Sequence, residues 1–228
     1  MVTHYEALAR MTDEDGKILP PAFFIPTAER FGLIYRIDQT IIEKTMRFQA
    51  SLQARGRKLS FGVNISGKNL GDKEMLARLQ TFIHDTGVDP GCILFELTET
   101  AAIRNLKEAV AFVGTLKEWG CRFSLDDFGV GFTSFAHLIE MEVDYLKIDG
   151  AFVRRLPDSA RDRILVKTIA DMARGLGIKS VAEFVDHPET IRILQGIGVD
   201  FAQGYLVGKP APDILDRDDL GFELRASS

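Results

Sequence analysis

Seven short apolar runs recur along the chain, separated by longer segments with helical spacing. They read "VTHYEALAR" (2–10), "LSFGVNIS" (59–66), "CILFELTE" (92–99), "RFSLDDF" (122–128), "VDYLKID" (143–149), "KSVAEFV" (179–185) and "FAQGYLV" (201–207). Strand-length runs alternating with helices call for parallel strands, because a parallel neighbour is reached only by crossing back over the sheet. Two connecting segments carry clear boundary signals. "NLKEAVAFVGTLKEWG" offers Asn105 as N-cap, Glu108 three residues on, and Gly120 as its stop. "SARDRILVKTIADMARGLG" opens with Ser159 and Asp162 in capping-box spacing, and Ile164, Leu165, Ile169, Met172 and Leu176 form its apolar side. A closed (β/α)8 barrel needs eight strands. Here "TDEDGK" after the first run reads as a loop, and nothing strand-like precedes that run. The expectation is therefore an open sheet, or a barrel without the opening strand that pairs with residues 2–10.

No low-complexity tract or Pro/Ser-rich linker divides the sequence, so residues 1–228 are expected to form a single domain. The net charge of −5 and pI near 5.5 argue against a nucleic-acid polymer or an anionic membrane as partner. No apolar run approaches the roughly 18 residues of a membrane span, and "MVTHYEALAR" is not a signal peptide. Cys92 and Cys121 sit in apolar runs, which predicts buried, reduced thiols and a cytoplasmic setting. His4, His84, His137 and His187 lack the spacing of a zinc site.

The polar residues within the runs are more telling. Asn64, Glu96, Asp126 with Asp127, Lys147, Glu183 and Gln203 each fall near the C-terminal end of a different run, and Glu6 lies in the first. In a parallel barrel those ends meet on one face, where active sites of that architecture lie. Charges that interrupt runs such as "ILFELT" and "SVAEFV" are costly to bury unless paired or bound to metal. Carboxylates and an amide, with no thiolate or imidazole, suit Mg²⁺ or Mn²⁺. The adjacent Asp126 and Asp127 repel each other unless a cation holds them, and they could bridge a two-metal site for displacement at phosphorus. Lys147 would then orient the attacking water. Taken singly, each acid has a plainer reading as a helix cap or turn former, Asn64 as a turn cap and Lys147 as an ion-pair partner. Recurrence over six runs favours the site. A glycosidase with two facing acids, or another Mg²⁺-dependent barrel enzyme, remains open on these residues alone.

The segments "YEALAR", "FFIPTAERFGLI", "VNIS", "FELTET", "LDDFGVGFTSF", "DYLKIDGAFV", "VAEFVD" and "AQGYLVGKP" occur in this order over residues 5–210. In this the chain resembles the EAL domain family, the cyclic di-GMP phosphodiesterases of bacterial signalling. The resemblance implies a TIM-like α/β barrel that hydrolyses cyclic di-GMP to linear pGpG with two Mg²⁺ or Mn²⁺ ions. It implies Glu6, Asn64, Glu96 and Asp126 as ligands of one ion, and Asp126, Asp127 and Glu183 as ligands of the other, with Glu183 alternatively the general base. Lys147 resembles the residue on the nucleophilic water. Leu8, Arg10, Asp149 and Gln203 resemble substrate-binding residues, Gln203 also supporting the shell around the water. Glu99 resembles the acid that steadies the loop 129–135 and couples the site to a homodimer.

The sequence departs from the family pattern at three places. The usual "EALLRW" reads "EALARM", "DFGTGYSSL" reads "DFGVGFTSF", and "AEGVE" reads "AEFVD", so that Phe184 stands where a glycine is usual. The family's opening strand, with "QPI", is the eighth strand missing from the count. Its absence leads to the expectation of a fragment of a larger multi-domain signalling protein. The competing reading is a catalytically silent cyclic di-GMP receptor that signals through a partner; such domains usually lose several acidic ligands, and this chain retains them. The loop "FGVGFTSF" is expected to lie near a dimer interface through Phe132 and Phe135, together with Ala136 to Ile139.

Overall fold

The computed structural model describes residues 4–131 and 135–212. They form two compact units. The first, His4–Leu97 with Ala101–Arg122, begins with strand β1 (His4–Ala7). A short antiparallel pair follows, β2 (Met11–Thr12) and β3 (Ile18–Leu19). Then come helices α1 (Pro21–Arg30) and α2 (Ile34–Gln53), β4 (Ser60–Asn64), α3 (Lys73–Thr86) and β5 (Ile93–Thr98). β1, β4 and β5 pair in parallel, with Glu6 opposite Gly62 and Asn64 opposite Glu96. Helix α4 (Glu99–Arg104) follows β5 in the chain, and α5 (Leu106–Glu118) is the last helix of the first unit. Its core is Ile42, Met46, Val63, Met75, Leu79, Phe95 and Phe112, all essentially sealed from solvent.

The second unit, Thr98–Thr100 with the chain from Phe123, carries β6 (Arg122–Phe128), α6 (Phe135–Met141), β7 (Tyr145–Ile148) and α7 (Gly150–Val153). It continues with α8 (Ala160–Gly175), β8 (Lys179–Ala182), α9 (Pro188–Ile197) and β9 (Phe201–Ala202). β6 to β9 pair successively in parallel around a core that includes Phe123, Leu125, Leu146, Ile148 and Ala182. Each apolar run of the sequence thus contributes one parallel strand.

Several local expectations change. The "TDEDGK" segment is the turn of the β2–β3 hairpin: Asp13 Oδ1 accepts from the backbone N–H groups of Asp15 and Lys17, and Gly16 takes φ +81°. Asp-Gly between apolar residues is a hairpin signal that two-residue strands make hard to see. Ser159 caps α8 by accepting from the Asp162 amide, as its spacing predicts. Asn105 does not cap α5; its side-chain amide donates to the Gly67 carbonyl. The buried face of α8 is Val166, Ile169, Ala170 and Ala173, with Asp162, while Ile164 and Leu176 are exposed. Small residues let that helix sit close to its neighbours, while Ile164 and Leu176 point outward. Both cysteines are free thiols. Cys121 is buried, and burial pushes its pKa up to about 12, whereas Cys92 is only half-buried. Among the described residues no helix is long and apolar enough to cross a membrane.

Candidate metal and catalytic site

The adjacent aspartates owe their arrangement to a bulge in β6. Leu125 pairs with Leu146 and Phe128 with Ile148, so Asp126 and Asp127 together stand opposite Lys147 alone. In a regular strand two successive side chains would face opposite sides. Here the extra residue breaks the alternation, and Asp127 adopts φ +55°, a left-handed conformation that Asp tolerates better than most residues. One carboxylate oxygen each from Asp126, Asp127 and Glu183 then lie within 4.8 Å of one another. Asp126 and Glu183 are buried and Asp127 reaches the surface.

Lys147 stands beneath this group with 2% of its surface exposed. Its ammonium lies 3.2 Å from Asp126 Oδ2 and 3.0 Å from Glu183 Oε1. Among the described residues these ion pairs set one ammonium against the Asp126 and Glu183 carboxylates, with Asp127 beside them. Partial desolvation, then the neighbouring Asp126 and Asp149 carboxyls, push the Asp127 pKa up to about 6 against the pull of Lys147. Asp149 begins α7 and accepts from the Ala151 amide through Oδ1.

Glu99 is buried, and its Oε2 accepts from the amides of Gly129 (2.9 Å) and Gly131 (3.1 Å). Gly129 sits at φ +104°, which favours glycine, and a Cβ on Gly131 would lie 2.8 Å from the Glu99 carboxyl and displace it. Phe132, Thr133 and Ser134, and the side chain of Phe135, lie outside what the structure describes. Gln203 follows β9; its amide donates to the Ala182 carbonyl and its own carbonyl accepts from Val185.

The remaining acids belong to the first unit. Glu6 Oε1 accepts from Asn64 Nδ2 at 2.7 Å, and Asn64 pairs in register with buried Glu96. Gly62 makes room for that carboxylate, since a Cβ there would meet Glu96 Oε1 at 2.0 Å. Leu8 and Arg10 lie beyond β1 and are exposed. Sequence reasoning passed over Gly62, whose signal is a glycine inside a strand. It also missed a buried network behind the end of β4. Asp38 Oδ2 accepts from the Ser66 amide and from Asn69 Nδ2, and Ser66 Oγ donates to Glu29. Burial pushes the Asp38 pKa up to about 6.

A sequence model of the EAL domain matches residues 1–210. The chain belongs to the EAL domain family. Cyclic di-GMP phosphodiesterase PdeB of Shewanella oneidensis is 41% identical over 207 residues, which is 91% of this chain and 24% of that protein. Cyclic di-GMP phosphodiesterase PdeF of Escherichia coli is 34% identical over 209 residues, 92% of this chain and 28% of that protein. The chain thus spans about a quarter of the length of these relatives. Among solved structures, the PaMucR phosphodiesterase in complex with c-di-GMP superposes with a TM-score of 0.86 at 28% identity, over 91% of this chain and 84% of that one. The EAL domain of FimX from Pseudomonas aeruginosa, bound to c-di-GMP, gives 0.85 at 25% identity, over 90% and 83%. The fold class is that of these EAL domains, the TIM-like α/β type with parallel strands and connecting helices.

Proposed function

We propose that this EAL domain is a metal-dependent phosphodiesterase that hydrolyses cyclic di-GMP to linear pGpG. The observation that carries the reading is the convergence of Asp126, Asp127 and Glu183 above a buried Lys147. The names of its relatives support the choice of substrate. The donor set fits hard divalent cations: all-oxygen ligands, and an excess of negative charge that a cation would relieve. Asp126, Asp127 and Glu183 would hold one Mg²⁺ or Mn²⁺, and Glu6, Asn64 and Glu96 would serve a second. Such ions supply an activated water and neutralise charge on the phosphoryl oxygens. Lys147 orients the attacking water; in the alternative in which Glu183 is the general base and not a ligand, that carboxylate accepts the water's proton. The water oxygen bonds to phosphorus as it gives up a proton, the P–O3′ bond breaks, and the 3′ oxygen takes up a proton from solvent. Leu8, Arg10, Asp149 and Gln203 position the dinucleotide. The domain acts in the cytoplasm as a homodimer, with Glu99 holding the loop after β6.

Incubation with cyclic di-GMP and Mg²⁺, followed by chromatography, should yield pGpG. Chelator should stop the reaction, and Asp126→Asn should abolish it, because a neutral amide is a poor ligand for a dication. Full activity in chelator would overturn the metal-site reading. Tight binding of cyclic di-GMP without any pGpG would identify a receptor module instead.

A further inference from the structure

Phe184 follows Glu183 directly and, among the described residues, is the one large apolar side chain on a left-handed backbone. It is 47% exposed, so its ring does not serve the core. Its backbone sits at φ +53°, a region that bulky side chains avoid because the Cβ crowds the backbone carbonyl. Glycine would occupy that position at no cost. The ring is nonetheless held with care. It lies against Gly150, where an added Cβ would fall 2.1 Å from Phe184 Cδ2, so the missing side chain forms the seat. The Arg154 guanidinium stands 4.2 Å from the ring centroid, a cation–π distance that fixes the ring's orientation. Gly150 adjoins Asp149, whose carboxyl crowds Asp127. The aromatic group is therefore seated at the edge of the carboxylate cluster, half open to solvent, with a cation beside it. Strained backbone that leaves an aromatic ring half exposed outside the core points to use.

We propose that Phe184, steadied by Arg154, is the platform on which one purine base of the substrate stacks. The inference rests on the phosphodiesterase reading above and adds a specificity element to it. Aromatic faces and guanidinium planes are the groups on which unstacked bases settle. A ring fixed in advance loses little freedom on binding. Arg154 would also set a positive charge near a substrate that carries two phosphates.

The test uses steady-state kinetics with cyclic di-GMP. Phe184→Gly relieves the backbone and removes the ring, so it should melt no lower than wild type. Its KM should rise about five- to a hundredfold, as expected from losing one base–aromatic stack, while kcat stays within about threefold. Phe184→Tyr should behave like wild type, and Arg154→Ala should fall between. Phe184→Trp gives a second readout: the chain has one other tryptophan, Trp119, and bound dinucleotide should quench the added fluorescence. An unchanged KM in Phe184→Gly, or a loss confined to kcat, would overturn the stacking role while leaving the phosphodiesterase intact. A wild type that yields no pGpG overturns the enzymatic reading before any variant is made.

Discussion

Lys147 is where single-residue chemistry is most exposed to test. Its ammonium is buried between Asp126 and Glu183 at hydrogen-bonding distance, so it is held by the site and not by solvent. Lys147→Ala should lower kcat about 10²–10³-fold, the usual cost of removing one key electrostatic group. KM should change by less than about threefold if the residue orients water as proposed; stopped assays across substrate concentrations would separate the two. The Asp127 carboxyl adds a pH signature. With its pKa raised to about 6 in the metal-free protein, protons compete with the cation below that pH. Mn²⁺ affinity, measured by calorimetry, should rise about tenfold per pH unit up to about 6 and flatten above it. Affinity independent of pH between 5 and 7 would remove Asp127 from the ligand set. The identities of these residues were legible in the sequence because charges interrupted apolar runs. Their arrangement was not, because nothing in "LDDFG" announces that the strand bulges.

Helix α2 shows how an element can support a site it does not line. Asp38 reaches from that helix to the Ser66 amide and to Asn69, tying down the chain just beyond Asn64. The carboxylate is buried, and its pKa rises from 3.8 to about 6. The folded state therefore holds the Asp38 proton more tightly than the unfolded chain does. Its contribution to stability is present below about pH 4 and is lost as pH rises through 6. Asp38→Asn retains an oxygen acceptor without the buried charge. It should raise the stability at pH 7–8 by on the order of 3 kcal/mol as an upper bound, seen as a higher melting temperature, and change little at pH 4. Thermal melts at the two pH values would check this. A lower melting temperature at pH 8 would mean that the ionised carboxylate is itself stabilising. Strands were legible at this scale because their apolar runs are continuous. The buried side of α8 was not, because Ala170, Ala173 and the capping Asp162 carry less apolar signal than the exposed Ile164 and Leu176.

At the scale of the molecule, the order of motifs gave family and fold class, since eight weak segments in sequence are far more specific than any one. What a single chain does not encode legibly is its assembly. Glu99 binds the amides of Gly129 and Gly131, at the start of the loop after β6. Glu99→Ala should lower the proposed phosphodiesterase activity and weaken the proposed homodimer together; light scattering and product assays over the same concentration series would detect it. A wild type that stays monomeric yet fully active would sever that coupling. The left-handed backbone of Asp127 has a consequence on a longer timescale. Of the residues comfortable there, Asn and Gly outrank Asp in ease, yet only Asp brings a negative charge. Drift at this codon is thus biased toward replacements the fold accepts gladly and the chemistry does not. A lineage that no longer needed the proposed hydrolysis would meet no structural resistance in losing it, and would be left with a well-formed protein whose fold had outlived its reaction.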